Sequence, residues 1–267
     1  MASAHLFAAF FALGLAGCSS RSDGTKNWGG PFVAVSAERS ATCAIQRAGD
    51  VVCWGDSRTG KPPAGPFREI AFNERCAVGL RPTGEIEGWG ESCAAPPAGD
   101  YVAISAQHEA CAIRKDGDIV CWGFIGGVYR SPSGRMNPLP PTAPKVTRGP
   151  FTRVAQGASH TCAIQASGAL RCWGSCAFRD NKTTDCPATA PAPAGVWTAL
   201  ASGENFSCAL STPGEITCWG APSIAMLPPS GKGFRAISAR GDVACAIDAR
   251  QEIQLSLIHI SEPTRPY

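Results

Sequence analysis

Hydrophobic and polar residues alternate in short stretches that recur along the chain in a fixed order. Each copy opens with aromatic-x-x-aliphatic-Ala/Ser, and Cys-Ala-aliphatic begins five to seven positions after that small residue. Alternation of this kind over roughly four to eight residues predicts half-buried β-strands. Six copies occur, and they open at Phe32, Phe67, Tyr101, Phe151, Trp197 and Phe234.

The copies recur with a period typical of repeat proteins. Their leading cysteines are separated by gaps of 33 to 51 residues, so the period is about 40 with insertions. A period in this range predicts one supersecondary unit per repeat, with neighbouring units stacking to bury a shared core. The leading cysteines are Cys43, Cys76, Cys111, Cys162, Cys208 and Cys245.

Each unit is predicted to contain a β-hairpin. In four units two cysteines lie ten positions apart, with a glycine six residues after the first. A three-residue loop ending in a left-handed glycine would place Cys43 opposite Cys53. Opposed residues in a non-hydrogen-bonded antiparallel pair are about 4.5 Å apart at Cα, within reach of a disulfide. The predicted disulfides are Cys43–Cys53, Cys111–Cys121, Cys162–Cys172 and Cys208–Cys218.

Further cysteines among the 14 in the chain suggest two more pairs. The second unit has Gly88 where its second cysteine is expected, so Cys76 is predicted to pair with Cys93 downstream. Cys176 and Cys186 are again ten positions apart and are predicted to close an insertion. Buried thiols and a zinc site are the alternatives, but zinc sites usually combine two closely spaced ligand pairs, and the chain has only four histidines.

Two stretches resemble the regulator-of-chromosome-condensation repeat: Phe151–Ile164 (FTRVAQGASHTCAI) and Gly168–Gly174 (GALRCWG). Six tandem copies extend this resemblance over residues 32–254. The resemblance implies an all-β fold, a β-propeller of four-stranded blades. Family propellers commonly have seven blades. The sixth unit of this chain loses the repeat pattern at position 255, so the propeller is expected to be incomplete, with about six blades and the last one truncated. Its short blades with paired cysteines are similar to the exported bacterial branch of that family.

The tryptophans that precede a glycine recur at a fixed place in the repeat. Large aromatic residues in such a position are expected to fill a core between repeats, and a ligand cage is the alternative. These residues are Trp54, Trp89, Trp122, Trp173 and Trp219.

The beginning of the chain is typical of a lipoprotein signal peptide, predicted over residues 1–17. Its apolar run is too short to span a bilayer as a mature helix. The run ends in Leu-Ala-Gly-Cys18, which resembles a lipobox, so Cys18 is predicted to be lipidated and residues 18–31 to form a polar tether. Ser19 after that cysteine resembles an outer-membrane address, periplasmic or at the cell surface. An ordinary secretory signal or a core segment is the alternative.

The end of the chain has a different character. Residues 255–267 resemble one reading frame of a sequencing adapter, and Leu255 stands where a Cys-x9-Cys partner of Cys245 is expected. We therefore interpret this segment as foreign and expect it to pack poorly against the last hairpin, so that His259 and Glu262 have no chemical role. A natural, degenerate final repeat is the alternative.

The chain shows no signature of catalysis or of nucleic-acid binding. A net charge of +3 is too small to indicate a nucleic-acid partner by itself. Nucleophile-elbow, phosphate-loop and His-Glu-x-x-His motifs are absent from the sequence, so no enzyme activity, cofactor or metal is predicted. His108 and His160 precede hairpin cysteines and are expected to pack or hydrogen-bond within their repeats.

Two insertions interrupt the period, at residues 124–150 and 175–196. Insertions in repeat arrays map to loops, often on the binding face. The first insertion is basic, and tyrosine and arginine are frequent in binding hot spots. Tyr129, Arg130 and Arg135 are therefore predicted to contact a partner, and a solvated linker is the alternative.

Three classes of function follow. We favour a non-catalytic binding propeller in the cell envelope, lipid-anchored to the membrane, which contacts an unknown protein through its blade loops. The secreted β-lactamase inhibitor of this family makes enzyme inhibition one form of that class. A carbohydrate-active enzyme is the alternative and would need two carboxylates about 5 to 10 Å apart. A nuclear nucleotide-exchange role is disfavoured because paired cysteines do not suit a reducing compartment.

Overall fold

The computed structural model describes thirteen segments of the chain, and these contain 21 β-strands. Over these residues no helix has the length and apolar character needed to cross a membrane. The predicted signal peptide, the tether and Cys18 lie outside the described residues. The segments are residues 32–37, 41–55, 60–73, 76–91, 93–107, 109–123, 128–130, 136–138, 145–158, 160–174, 192–220, 231–241 and 243–257.

The strands follow the alternating stretches of the sequence. They are β1 (Phe32–Ala37), β2 (Ala41–Gln46), β3 (Val51–Gly55), β4 (Glu69–Asn73), β5 (Cys76–Leu80), β6 (Ile86–Trp89), β7 (Tyr101–Ala106), β8 (Ala110–Arg114), β9 (Ile119–Trp122), β10 (Val128–Arg130), β11 (Met136–Pro138), β12 (Lys145–Thr147), β13 (Phe151–Gln156), β14 (His160–Gln165), β15 (Leu170–Gly174), β16 (Trp197–Ser202), β17 (Phe206–Ser211), β18 (Ile216–Gly220), β19 (Ala236–Arg240), β20 (Val243–Ile247) and β21 (Ile253–Leu257).

Each repeat forms one antiparallel sheet. In the described residues five repeats have three strands in sequence order, from β1-β2-β3 to β19-β20-β21. Within the described part of the chain, only the third repeat shows the four strands expected of a blade, because β12 returns from the first insertion and pairs with β9. The other repeats therefore show the inner three strands of the expected blade.

The six sheets are arranged with their first strands side by side. Contacts run from β1 to β4, then to β7, β13, β16 and β19. Since the first strand is an edge of every sheet, these strands form the inner wall and the later strands lie farther out. This radial arrangement of small antiparallel sheets is a β-propeller, as the sequence predicted.

The core lies between successive sheets. Phe67 and Trp89 of the second repeat have ring centroids 5.6 Å apart and pack with Ile45 of the first repeat. Phe151 and Trp173 of the fourth repeat, 5.9 Å apart, likewise pack against the third. Aromatic pairs of this kind contribute about 0.5–1.5 kcal/mol beyond the apolar area they bury. The predicted packing between repeats is confirmed for Trp89, Trp122, Trp173 and Trp219.

The hairpins have the predicted turn. Gly49 has φ +94°, and the N–H of Gln46 donates to the carbonyl of Asp50 at 2.8 Å, which closes a three-residue loop. This register places Cys43 opposite Cys53, with Cα atoms 4.0 Å apart. The structure contains the disulfides Cys43–Cys53, Cys76–Cys93, Cys111–Cys121, Cys162–Cys172 and Cys208–Cys218. Cys176 and Cys186 lie outside the described residues.

The last hairpin is more regular than expected. β21 pairs with β20 along its whole length, and Leu255 lies opposite Cys245, as the hairpin register requires. The expectation that the segment packs poorly stays a prediction, but backbone pairing continues through residues 255–257. The reason is local, because Ile-Gln-Leu-Ser-Leu alternates apolar and polar residues and is compatible with a strand. Residues 258–267 lie outside the described part, and their foreign origin remains a prediction.

Candidate functional site at the insertion face

Strand direction places the beginnings of both insertions on one face of the propeller. The first and third strands of each sheet are antiparallel to the second, so they run in the same direction and end on the same side. In the third repeat these ends are Ala106 and Trp122. We call this side the insertion face, because both insertions follow third strands, β9 and β15. The hairpin turns, such as the one at Gly49, lie on the opposite side, the turn face.

The first insertion begins with a hairpin of its own. Strands β10 and β11 pair from Val128 with Pro138 to Arg130 with Met136. Tyr129 and Arg130, two of the residues predicted to contact a partner, are therefore neighbours on one short strand. Arg135 lies outside the described residues, as do 175–191 of the second insertion.

A cavity of about 160 Å³ lies where the first strands end at the insertion face. Its wall comes from the first strands of four repeats: the first, second, third and sixth. The lining is polar at the serine hydroxyls and at one guanidinium group. These polar lining residues are Ser36, Ser105, Ser238 and Arg240.

Side chains of neighbouring repeats cap the inner edges of the first strands. Ile104 N–H donates to Oε2 of Glu69 at 3.1 Å, and Gln156 N–H donates to Oγ of Ser105 at 3.1 Å. Such backbone groups would otherwise form an open strand edge. Burial raises the pKa of the Glu69 carboxyl, partly offset by the Ile104 hydrogen bond and by attraction to two nearby arginines. These contacts join the second, third and fourth repeats along the inner wall.

Arg240 makes a similar hydrogen bond between two repeats that are far apart in the sequence. Its Nη1 donates to the carbonyl of Phe72 at 3.4 Å, which links the sixth repeat to the second across 168 positions of sequence. Burial lowers the pKa of Arg240 to about 10. The side chain therefore remains cationic at neutral pH and places a positive charge on the cavity wall.

His160 takes part in a buried polar network between the fourth and fifth repeats. Its Nε2 lies 2.9 Å from Oγ of Ser207, which lies 2.8 Å from Oγ of Ser202. Burial lowers the pKa of His160 to about 4, partly opposed by a hydrogen bond with the Phe206 backbone. His160 is 2% exposed and Ser207 0%, so this serine and histidine cannot reach a substrate. The predicted hydrogen bond is present but crosses between repeats, whereas it was expected within one; His108 lies outside the described residues.

Among the residues that the structure describes, one group has the spacing of metal ligands. The ligand atoms of Glu109, Cys111 and Cys121 lie within 4.8 Å of one another. Cys111 and Cys121 are joined in a disulfide, so they offer no thiolate. Glu109 lies 3.7 Å from Nζ of Lys145 on β12. This arrangement is a disulfide beside a surface ion pair and is not suited to bind a metal ion.

Sequence reasoning missed Glu69 and Arg240. Alignment of the six repeats could have indicated the glutamate, because four repeats have alanine at its position. Nothing in the sequence marks Arg240, since its importance depends on a contact with a distant repeat.

Comparison with known proteins finds a family match for one stretch of the chain and solved structures that share its fold. Residues 151–175 match the family model of the regulator of chromosome condensation (RCC1) repeat. No curated protein matches the sequence significantly. Several solved structures share the fold at 15–20% sequence identity.

Two of these structures are plant receptor ectodomains. The ectodomain of the Physcomitrella patens receptor kinase CR4 superposes with a TM-score of 0.65 at 20% identity, covering 83% of this chain. This chain spans 63% of the length of that ectodomain. The CRINKLY WD40 ectodomain of the Arabidopsis thaliana receptor kinase ACR4 gives 0.64 at 20% identity, covering 83% of this chain and 82% of its own.

Yeast RCC1 (Prp20), solved bound to Kap60, is a third similar structure. Its TM-score is 0.62 at 15% identity, covering 84% of this chain and 69% of its own. At these identities the comparisons show a common fold.

Proposed function

We propose that this chain, which is built of RCC1 repeats, is a non-catalytic binding propeller that contacts another protein through its insertion face. The observation that carries the proposal is that the first insertion leaves and re-enters its sheet on that face, where the second insertion also begins and where the central cavity lies. Proteins of the same fold support it, since yeast RCC1 was solved in complex with Kap60. Inhibition of a bound enzyme would be one form of this activity.

The cavity favours binding over carbohydrate chemistry. Glycosidic hydrolysis needs two carboxylates roughly 5 to 10 Å apart. Among the described residues that line the cavity there is no carboxylate. Its volume of about 160 Å³ is also below the ~300 Å³ at which small-molecule pockets usually begin. A carbohydrate-active enzyme is therefore the second candidate.

We place the protein in the cell envelope, anchored by a lipid on Cys18 at the outer membrane. The five disulfides in the described residues support an oxidising compartment. They also disfavour a nuclear exchange role. Metabolic labelling with an alkyne fatty acid should mark the wild type and Ser19→Ala but not Cys18→Ala. Equal labelling of the Cys18→Ala variant would disprove the anchor.

A shortened first insertion tests the binding function. Lys145 pairs with Cys121, so β9 and β12 are adjacent and a short Gly-Ser turn can replace residues 125–143 without breaking the sheet. We expect the shortened protein to melt like the wild type and to lose most capture of the wild-type partner from the native envelope. As a control, Arg47→Ala on the turn face should retain capture. Unchanged capture by the shortened protein would count against the insertion as the contact.

A further inference from the structure

We infer that the outer edge of β10 binds an extended, acidic segment of the bound protein as a third strand of the β10–β11 hairpin. The inference rests on the proposed function and adds the backbone geometry and the charge of the segment that is bound. Among the described strands β10 pairs with β11 and with no other, so its second edge is open. The hairpin follows β9 in the chain and so belongs to the insertion that begins on the insertion face.

The proline of β11 determines which backbone groups of the hairpin face outward. Proline has no N–H, so Val128 and Pro138 cannot be an opposed pair that exchanges two hydrogen bonds. Hydrogen-bonded and non-hydrogen-bonded pairs alternate along an antiparallel ladder, so Tyr129 and Asn137 form the hydrogen-bonded pair. The N–H and carbonyl groups of Val128 and Arg130 therefore point away from β11.

The two outer edges of the hairpin are not equivalent. On β10, Val128 and Arg130 each offer an N–H and a carbonyl, which makes two donors and two acceptors. On β11, Met136 offers both groups but Pro138 offers only a carbonyl. Proline on an edge strand disfavours pairing with another chain. An added strand is therefore expected on β10.

The hairpin also gains stability from a third strand. An isolated two-stranded hairpin is only marginally stable in water, and independent stability needs more strands or packing against another element. In the described residues the sheets of the blades include neither β10 nor β11. An extended segment that adds to β10 supplies the missing strand, and its main-chain hydrogen bonds provide the affinity.

Charge indicates the composition of that segment. Residues 124–150 contain four basic residues and no acidic residue. Lys145 and Arg148 already pair with carboxylates of the third repeat, whereas Arg130 lies on β10 and Arg135 directly precedes β11 in the sequence. Opposite charges on neighbouring strands stabilise pairing, and like charges destabilise it. The bound segment is therefore acidic, and pairing of β10 with the same strand of a second copy is disfavoured.

NMR of the backbone amides in the whole protein provides the test. The probes are the peptide Thr-Glu-Val-Glu-Val-Glu-Thr, blocked at both ends, and a counterpart with lysine in place of each glutamate. With the acidic peptide we expect the N–H signals of Val128 and Arg130 to shift saturably and to exchange more slowly with water. The N–H of Met136, on the opposite edge, is the internal control and should gain no protection. The lysine peptide should have no effect.

Two proline variants separate the edges. Val128→Pro removes an outward N–H of β10 and should weaken binding of the acidic peptide by about tenfold. Met136→Pro removes an outward N–H of β11 and should bind the peptide like the wild type. The amide signal of Asn137 reports that the hairpin is intact in both variants.

Several results would overturn the inference: no saturable shift with the acidic peptide, equal binding of both peptides, protection of Met136 in place of Val128, or equal affinity of Val128→Pro and the wild type. So would a wild-type dimer in sedimentation that Val128→Pro converts to a monomer, because a second copy would then occupy the edge.

Capture from the native envelope separates this inference from the binding function. If Val128→Pro captures the wild-type partner undiminished and the shortened protein does not, the inference fails while the binding function stands. Undiminished capture by the shortened protein would instead contradict the binding function.

Discussion

At the scale of single residues, one repeat position shows what the sequence can and cannot predict. The residue two places before the hairpin cysteine is His160 in the fourth repeat and Phe206 in the fifth, and both are buried. Burial follows from the repeat pattern alone. The bond from His160 to Ser207 does not, because it depends on how the next repeat is placed.

His160 predicts a dependence of stability on pH. Its pKa is about 4 in the folded protein, below the ordinary value of 6.5 for histidine, so folding favours the neutral form. Its contribution is fully present above pH 6.5 and is lost as the pH falls toward 4. The loss should approach about 3 kcal/mol of unfolding free energy.

Urea denaturation between pH 7.5 and 4.5 measures this effect. The matched variant is His160→Phe, which copies the residue of the fifth repeat. It should lack the part of the pH dependence that belongs to His160. If the unfolding free energies of the variant and the wild type changed in parallel with pH, His160 would not be the source of the pH dependence.

At the scale of strands and turns, the hairpin was the most predictable element. Cysteine spacing and the glycine position indicated the same register, and the structure has it. The fourth strand was less predictable, because β12 is only three residues long and follows a long insertion. Its pairing with β9 comes from the geometry of the sheet and not from a pattern in residues 145–147.

Alanine substitutions at two glycines distinguish the effect of backbone strain from the effect of a crowded Cβ. Gly214 and Gly233 have φ of +81° and +84°, so alanine is similarly strained at either position. A Cβ at Gly214 would lie 2.7 Å from the backbone of Gly233, whereas at Gly233 the nearest atom is Cβ of Ala249 at 3.8 Å. Gly214→Ala should therefore destabilise the protein more than Gly233→Ala, by about 1–3 kcal/mol.

Chemical denaturation of the two variants decides between these effects. Equal losses would mean that strain alone governs the turn and that the close approach of the two backbones is unimportant.

At the scale of the whole molecule, the repeats predicted the propeller but not its centre. Six copies with one period indicated radial sheets, because each unit must bury its faces against its neighbours. The central cavity depends on Arg240 meeting Phe72 from 168 positions away. No local sequence pattern indicates that contact, so the charged wall of the cavity could be identified only from the three-dimensional structure.

The central claim is that the protein binds its partner through the insertion face. A photo-reactive amino acid placed in the native cell at Glu91 or Asn137 probes that face, and one at Arg47 or Thr83 probes the turn face. The account predicts a discrete cross-linked adduct from the first pair and none from the second. Adducts confined to Arg47 and Thr83 would contradict it.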